Sequence, residues 1–156
     1  MIRLRPMSAA EFADFIAYFI PDYATEIAAN YRLSLEEATE QARREIETSL
    51  PAAQKTPGHS LTSITLVDNG VTQIVGSLWY RADFIDKSAF IYDFFLRPAF
   101  RGKGLGSQAM QSLESSLSAA GIRQIKLRVA AENEHARKVY EANGYQITGY
   151  NMNKLL

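Results

Sequence analysis

Residues 96–106 read Leu-Arg-Pro-Ala-Phe-Arg-Gly-Lys-Gly-Leu-Gly, and the rest of the chain is organised around this stretch. It follows an almost continuously apolar run, Phe90 to Leu96, and precedes a helical pattern from Ser107 to Ala120. A buried strand therefore passes through a basic, glycine-rich turn into a helix. The turn favours a bound phosphate group, because the first N–H groups of a helix have no partner within it and glycines let a ligand approach the backbone. Arg101 and Lys103 add positive charge there.

The spacing of the glycines separates this turn from two well-known phosphate loops. A P-loop needs a glycine where Arg97 stands, and a serine or threonine where Gly104 follows the lysine. A dinucleotide-binding loop needs the spacing GxGxxG, whereas Gly102, Gly104 and Gly106 are spaced GxGxG. Taken alone, the turn is also compatible with a purely structural role in reversing the chain.

A second informative stretch, residues 129–145, reads Val-Ala-Ala-Glu-Asn-Glu-His-Ala-Arg-Lys-Val-Tyr-Glu-Ala-Asn-Gly-Tyr. Asn133 and Tyr140 are seven residues apart, close to two helical turns, so they lie along one helix face and can reach one elongated ligand. Each also has a structural interpretation, Asn133 as a helix N-cap and Tyr140 as a core aromatic. Asp93 stands out on its apolar strand, since a buried carboxylate is costly unless it is paired or used.

The two stretches together resemble the GCN5-related N-acetyltransferase (GNAT) family. The first is similar to its acetyl-CoA loop, Arg-x-x-Gly-x-Gly after a strand ending in x-Pro, with Arg101, Gly104 and Gly106 in the named positions. The second is similar to its pattern Asn-x-x-Ala-x-x-x-Tyr followed by glycine and an aromatic residue, carried by Asn133, Ala136, Tyr140, Gly144 and Tyr145. The resemblance covers Ala89 to the C-terminus and, more loosely, the strands before it. Two patterns in the expected order are more specific than either alone.

The fold implied by the resemblance is an α/β (α+β mixed sheet) acyl-CoA N-acyltransferase fold. Its central, mostly antiparallel sheet is splayed at the cofactor site and flanked by helices on both faces. The chain pattern gives the order βααβββαβαβ, in one domain over residues 1–156. Capping boxes at Ser8 and Ser34 begin two helices, Pro21 breaks or kinks the first, and Asp68-Asn69-Gly70 predicts a hairpin. Tyr145 to Leu155 is predicted to close the sheet as one or two strands.

The activity implied by the resemblance is direct attack of an amine on the thioester of acetyl-CoA in a ternary complex. Tyr140 would protonate the departing thiolate, because a phenol with a pKa of roughly 10 keeps its proton at neutral pH. Asp93 is the first candidate for the base that accepts the amine proton, with an ion pair as its alternative role and His59 as a second candidate base.

The cofactor site implied by the resemblance has a part for the pantetheine arm and a part for the pyrophosphate. Backbone groups around residues 94–96 would hold the pantetheine amides and polarise the thioester carbonyl, and residues 101–106 would bind the pyrophosphate. The residues expected to bind acetyl-CoA are Phe94, Phe95, Leu96, Arg101, Gly102, Lys103, Gly104, Leu105, Gly106, Ser107, Asn133, Ala136 and Tyr140. No metal is expected, because the chain has no cysteine and its two histidines lie far apart.

Composition limits the possible partners. Basic and acidic residues both number 17, which argues against a nucleic-acid or membrane-surface protein. Acidic residues gather in the early helices, which hints at a cationic small-molecule or peptide amine as acceptor, although such residues are commonly a solvated helix face. The start of the chain lacks the apolar core of a signal peptide, so a cytoplasmic protein is expected. A homodimer is left open. The alternative function is a non-catalytic acyl-CoA-binding regulatory or interaction module.

Overall fold

The structure is a computed structural model that describes residues 1–156. Its strands and helices in chain order are β1 (Ile2–Pro6), α1 (Ala9–Tyr31), α2 (Leu35–Ser49), β2 (His59–Asp68), β3 (Val71–Asp83), β4 (Ser88–Leu96), α3 (Leu105–Ala119), β5 (Gln124–Leu127) and α4 (Glu134–Ala142). Short 3₁₀ turns lie at Ala53–Lys55 and Pro98–Phe100. None of the helices is both long enough and apolar enough to cross a membrane.

The five strands form one mixed sheet in the order β1-β2-β3-β4-β5. The first three pairings are antiparallel and β4 pairs with β5 in parallel. Between β2 and β3, Asn69 and Gly70 have φ angles of 49° and 77°. Positive φ at both central residues is what a two-residue hairpin of type I′ requires. The predicted hairpin and the predicted mixed, mostly antiparallel sheet are confirmed.

Helices cover both faces of the sheet, as predicted. On one face, α1 and α2 bury an apolar cluster that includes Phe15, Ile46 and Trp79. On the other face, α3 packs Met110 and Leu113 against β3 and β4. Ala89 and Ile91 of β4 belong to the cluster under α3, while Tyr92 stacks on Trp79 on the other face. Burial on both faces explains why β4 is an almost continuously apolar run.

Helix α1 begins at the predicted capping box. The Ser8 Oγ accepts a hydrogen bond from Glu11 N at 3.2 Å, and a Glu11 carboxylate oxygen accepts one from Ser8 N at 2.8 Å. Pro21 was predicted to break or kink the helix, and it does not break it, because α1 runs through Pro21 without interruption for 23 residues. Buried residues on both sides of the proline, Phe15 and Ala24, pack against the rest of the protein and offset the one backbone hydrogen bond that proline cannot make.

The second capping box forms only in part. Ser34 Oγ accepts from Glu37 N at 3.1 Å, while the Glu37 side chain makes no return bond to Ser34 N. At the other end of the chain, the predicted strand or strands over Tyr145 to Leu155 are absent and residues 145–156 have no regular secondary structure. Tyr145 packs against Tyr140, but the apolar side chains after it stay exposed, Tyr150 by 80% and Met152 by 93%, so the rest of the segment buries no face that would hold it as a strand.

Strand β4 carries a bulge in its middle. Trp79 on β3 lies opposite Asp93, while the next residue of β3, Tyr80, lies opposite Ile91, so Tyr92 is an extra residue on β4. The pairing of β4 with β5 ends at the same point, with Ile91 opposite Leu127. Beyond it the two strands separate. The sheet is therefore splayed from Tyr92 onward, as the family resemblance implied, and β5 is a short strand that ends at Leu127.

Candidate active site

The bulge at Tyr92 decides which side chains face the splayed region. Without it, alternation along β4 would send Tyr92 and Asp93 to opposite faces of the sheet. With it, both lie on the α1 face, where the Tyr92 ring stacks on Trp79 at 4.7 Å between ring centroids. Phe94 then faces α3, and its side chain lies next to Gly106. A one-residue irregularity thus turns a carboxylate out of the α3 core and towards α1.

Asp93 has one hydrogen-bond donor within the protein. The hydroxyl of Tyr18, on α1, donates to Asp93 Oδ2. No cationic side chain pairs with the carboxylate, so the ion-pair role considered for Asp93 is not the one in this structure. Burial raises the pKa of Asp93 from its usual 3.8 to about 7. A carboxyl group that titrates near neutral pH is suited to exchange a proton there.

Tyr140 lies on α4 across the splayed region from Asp93. Its ring packs against Tyr145 at 5.7 Å between centroids and it contacts the core under α3. Burial, together with the nearby charge of Asp93, raises the pKa of Tyr140 to about 12. The phenol therefore keeps its proton at neutral pH, as the sequence analysis expected.

A cavity of about 600 Å³ opens between β4, β5, α1, α2 and α4. Its wall includes five of the residues predicted for the site, namely Asp93, Phe94, Asn133, Ala136 and Tyr140. Asn133 and Tyr140 share one face of α4, as their spacing predicted. Asn133 also caps that helix, because its Oδ1 accepts a hydrogen bond from Ala136 N at 3.2 Å. The structural and functional interpretations of Asn133 are therefore compatible.

The predicted phosphate loop lies outside the wall of this cavity, at the end of β4 where α3 begins. Gly102 and Gly104 have φ angles of 74° and 75°, and a Cβ on either would meet no atom within 4 Å. The N–H groups of Leu105, Gly106 and Ser107 form the first turn of α3 and donate to no acceptor in the protein. The loop therefore presents free amide donors at a helix N-terminus, a geometry suited to an anion.

Three predicted site residues have other contacts in this structure. Arg101 Nε donates to the Leu96 carbonyl at 2.8 Å, and the guanidinium lies 5.3 Å from the centre of the Phe95 ring. Ser107 Oγ accepts from Asn143 Nδ2 at 3.0 Å, which ties α3 to the end of α4. Leu105 has a buried side chain, so its backbone alone is free to contact a ligand.

The Leu96 carbonyl points away from β3. Arg97 N donates to Val75 O on β3 at 2.8 Å. In a trans peptide the C=O and N–H point in opposite directions, so the Leu96 carbonyl faces the side from which β5 has departed. A strand edge that has lost its neighbour offers backbone donors and acceptors to a ligand.

His59, the second candidate base, has its acceptor nitrogen in use. Nδ1 accepts a hydrogen bond from Trp79 Nε1 at 3.0 Å, which leaves the proton of the neutral ring on Nε2. Burial, with a smaller contribution from the charge of Arg81, lowers the pKa of His59. The ring does not line the cavity that contains Asp93. The geometry therefore favours Asp93 over His59 as a proton acceptor.

The α1–α2 end of the cavity is acidic. Asp22, Glu26 and Glu45 line it, and the one cationic side chain in the wall, Arg128, forms an ion pair with Glu26 at 2.8 Å. Burial, followed by the neighbouring Glu45 carboxylate, raises the pKa of Tyr23, which lies among these acids. The excess of carboxylates favours a positively charged ligand in this part of the cavity.

Sequence reasoning missed Tyr18 and Tyr92 as site residues. It used the acidic character of the early helices as a hint for a cationic acceptor, but it did not single out the three acids of the cavity. Tyr18 falls in the apolar stripe of α1, between Phe15 and Phe19, where it reads as a core aromatic. A hydroxyl within such a stripe is a signal, because a buried phenol needs a partner. The bulge at Tyr92 has no comparable signal in the sequence, since it depends on the register between two strands.

Comparison with known proteins identifies the class. The model of the acetyltransferase (GNAT) family matches residues 22–145. The chain is 37% identical to the uncharacterized N-acetyltransferase YycN of Bacillus subtilis, with 99% of each chain covered. It is 33% identical to the uncharacterized N-acetyltransferase YdgE of the same organism, over 98% of this chain and 97% of YdgE. The protein therefore belongs to the GNAT acetyltransferase family, as its two sequence motifs implied.

Solved structures agree with this assignment. The crystal structure of Bacillus subtilis YycN superimposes with a TM-score of 0.90 and covers 100% of this chain and 99% of that chain. A more distant structure, the PaiA N-acetyltransferase of Thermoplasma acidophilum in complex with coenzyme A, gives a TM-score of 0.69 at 15% identity. It covers 97% of this chain and 93% of its own, and at that identity it supports the fold alone.

Proposed function

We propose that this protein transfers the acetyl group of acetyl-CoA to a primary amine by direct attack in a ternary complex. The observation that carries the proposal is the splay of β4 from β5 at the Tyr92 bulge, because it brings Asp93 and Tyr140 to one cavity. A proton acceptor and a proton donor at the same cavity are what transfer from a thioester to an amine requires. Membership of an acetyltransferase family supports the same reaction class.

The residues at the start of α3 fit the pyrophosphate of coenzyme A. The free N–H groups of Leu105, Gly106 and Ser107 carry the positive end of the helix dipole, and Gly102 and Gly104 leave the approach open. The exposed side chain of Lys103 adds a mobile positive charge beside them. Backbone groups of Phe94 and Leu96, on the open side of β4, would hold the pantetheine arm, and Asn133 and Ala136 would flank it. Acetyl-CoA supplies a thioester-activated acetyl group.

Asp93 accepts the proton of the attacking amine in this proposal. An amine must be neutral to attack, and a carboxylate whose pKa is about 7 is largely deprotonated at slightly alkaline pH and able to take a proton. The acidic end of the cavity, with Asp22 and Glu45, would attract an amine in its common cationic form. This charge distribution supports an amine acceptor over a neutral alcohol.

Tyr140 delivers the proton to the departing thiolate. The charge of Asp93 contributes to the raised pKa of Tyr140. When Asp93 takes the amine proton its charge disappears, and the pKa of Tyr140 falls at the stage when an acid is needed. The new C–N bond and the broken C–S bond are thus accompanied by two proton transfers, one to Asp93 and one from Tyr140.

The test is a screen of amines with acetyl-CoA, followed by thiol release and by the mass of the product. We expect at least one primary amine to gain a single acetyl group, with faster thiol release than in its absence. Asp93→Asn should suppress that release while retaining coenzyme A binding by calorimetry. Tight coenzyme A binding without an acetylated product from any amine would support the non-catalytic binding module instead.

A further inference from the structure

Tyr18 is held in place by aromatic neighbours on α1 and β4. Its ring stacks on Phe95 with 3.9 Å between centroids and an interplanar angle of 21°. Phe15, which is 3% exposed, packs against its edge at 5.7 Å, and Phe19 does so at 6.4 Å. These contacts fix the ring and so fix the direction of its hydroxyl. That hydroxyl donates to Asp93 Oδ2.

Building on the proposed function, we propose that Tyr18 is a positioning residue, which holds the Asp93 carboxylate by one oxygen and leaves the other free for the acceptor amine. Oδ2 accepts the Tyr18 hydrogen bond, whereas Oδ1 accepts none from the protein. A carboxylate with one oxygen fixed keeps a single orientation towards the cavity. Orientation of this kind is the usual task of the partner of a catalytic base.

The groups around Asp93 determine whether loss of the Tyr18 hydroxyl raises or lowers the pKa of Asp93. Tyr18 faces it from α1 and Tyr140 from α4, while Asp22, Glu26, Glu45 and Arg128 lie further along the same cavity. Burial of Asp93 favours its neutral form, whereas a hydrogen bond donated to the carboxylate favours the charged form. Removal of the Tyr18 hydroxyl therefore shifts the titration of Asp93 to higher pH.

The experiment follows the side-chain carboxyl carbon of Asp93 by NMR through a pH titration, with its signal identified by comparison with Asp93→Asn. Tyr18→Phe keeps the stacked ring and removes the hydroxyl, and should raise the midpoint by about one unit. Tyr31→Phe, which removes an exposed hydroxyl from the same helix, should leave the midpoint at its wild-type value. Thermal unfolding verifies that each variant folds, and Tyr18→Leu is a second variant without the hydroxyl.

An Asp93 titration that is the same in wild type, Tyr18→Phe and Tyr18→Leu would overturn the proposal. The titration needs neither acetyl-CoA nor an amine, so its result stands even if no amine is acetylated and the proposed function fails. With an accepted amine, Tyr18→Phe should move the acid limb of the kcat/KM profile to higher pH and leave the KM for acetyl-CoA unchanged. An unmoved acid limb in a variant whose Asp93 titration has shifted would overturn the positioning role in catalysis.

Discussion

The indole Nε1–H of Trp79 donates a 3.0 Å hydrogen bond to Nδ1 of His59. This bond joins β2 to β3 on the α1 face of the sheet and occupies the nitrogen that a basic histidine would use. His59 is therefore best explained as a structural partner of a core tryptophan that is 4% exposed. Its place beside the cavity wall is a consequence of that contact.

Replacement of His59 by glutamine should leave turnover within about twofold of wild type, because a glutamine oxygen can still accept from Trp79. It should also change how stability depends on pH. Burial lowers the folded-state pKa of His59 below 6.5, so the unfolded chain binds the proton more readily and wild type loses stability as pH falls through that region. Urea unfolding of both proteins between about pH 5 and 8 should show that the free energy of unfolding falls more on acidification in wild type than in His59→Gln. A fall in turnover of a hundredfold would restore His59 as a candidate base.

Replacement of Tyr140 by phenylalanine removes the proposed acid and keeps the ring that packs against Tyr145. Turnover should fall about a hundredfold, the scale of general acid catalysis, while the affinity for acetyl-CoA remains nearly unchanged. Steady-state kinetics and calorimetry measure the two quantities. Tyr150→Phe is the matched control, since Tyr150 is 80% exposed and outside the cavity. Unchanged turnover would remove Tyr140 as the acid.

Asp93→Asn should stabilise the protein at alkaline pH. The folded-state pKa of Asp93 is about 7 and its usual value is 3.8, so the folded state binds more protons between these values. Wild type therefore loses stability as pH rises from about 4 to 7, and the cost of the buried charge remains in full above that range. At about pH 8 the variant should gain about 2 to 4 kcal/mol in the free energy of unfolding.

At about pH 3.5 the same substitution should leave the unfolding free energy nearly unchanged, because Asp93 is then protonated in the folded state and mostly protonated in the unfolded state. Asp68→Asn, at the exposed end of β2, serves as a control for the loss of one negative charge. An equal effect of Asp93→Asn at both pH values would contradict burial as the cause of the shift. Asp93→Asn should lose amine acetylation at the same time as it gains stability.

Local chemistry explains what could be predicted from the sequence. The caps at Ser8 and Asn133 and the turn at Asn69 and Gly70 depend on residues within a few positions of one another. The glycine turn before α3 and the spacing of Asn133 and Tyr140 are equally local features. The family resemblance of these two motifs then suggested acetyl-CoA as their ligand. Fold class and much of the candidate site follow from such patterns.

Tertiary contacts explain what could not be predicted. Tyr18 and Asp93 are 75 residues apart and meet only after α1 packs on the sheet. The bulge at Tyr92 is a matter of register, and its effect is to reverse the face that Asp93 occupies. Pro21 was expected to break or kink α1 on local grounds, and packing on both sides of it keeps the helix continuous. The C-terminal residues have strand-like composition but no buried face to hold them.

The glycine turn before α3 can be tested with a pair of substitutions that have the same backbone strain. Gly104 and Gly70 have φ angles of 75° and 77°, and neither would bring a Cβ within 4 Å of another atom. Leucine at either position should cost about 1 to 2 kcal/mol of stability through the left-handed backbone. Gly104→Leu should in addition weaken coenzyme A binding by at least about tenfold, because the side chain would obstruct the N-terminus of α3. Equal calorimetric affinities for the two variants would refute the loop assignment.

The close approach of β3 to the end of β4 depends on Gly76, which lies opposite Leu96. A Cβ at this position would lie 2.1 Å from the Phe95 carbonyl oxygen and 3.1 Å from Leu96 Cα, both backbone atoms that cannot rotate away. Gly76→Ala should therefore lower the free energy of unfolding by about 2 to 4 kcal/mol, the range typical of overpacking and strain. Gly149→Ala is the control, since its added Cβ meets nothing within 4 Å.

Because Phe95 also carries the stacked ring of Tyr18, the same substitution should disturb the site as well as the fold. We expect the Asp93 titration to change in folded Gly76→Ala, and to stay at its wild-type midpoint in Gly149→Ala. Urea unfolding measures the loss of stability, and the NMR titration measures the change in the Asp93 midpoint. A variant as stable as wild type would show that β3 and β4 can move apart at this point at little cost, and so that their close approach does not depend on this glycine.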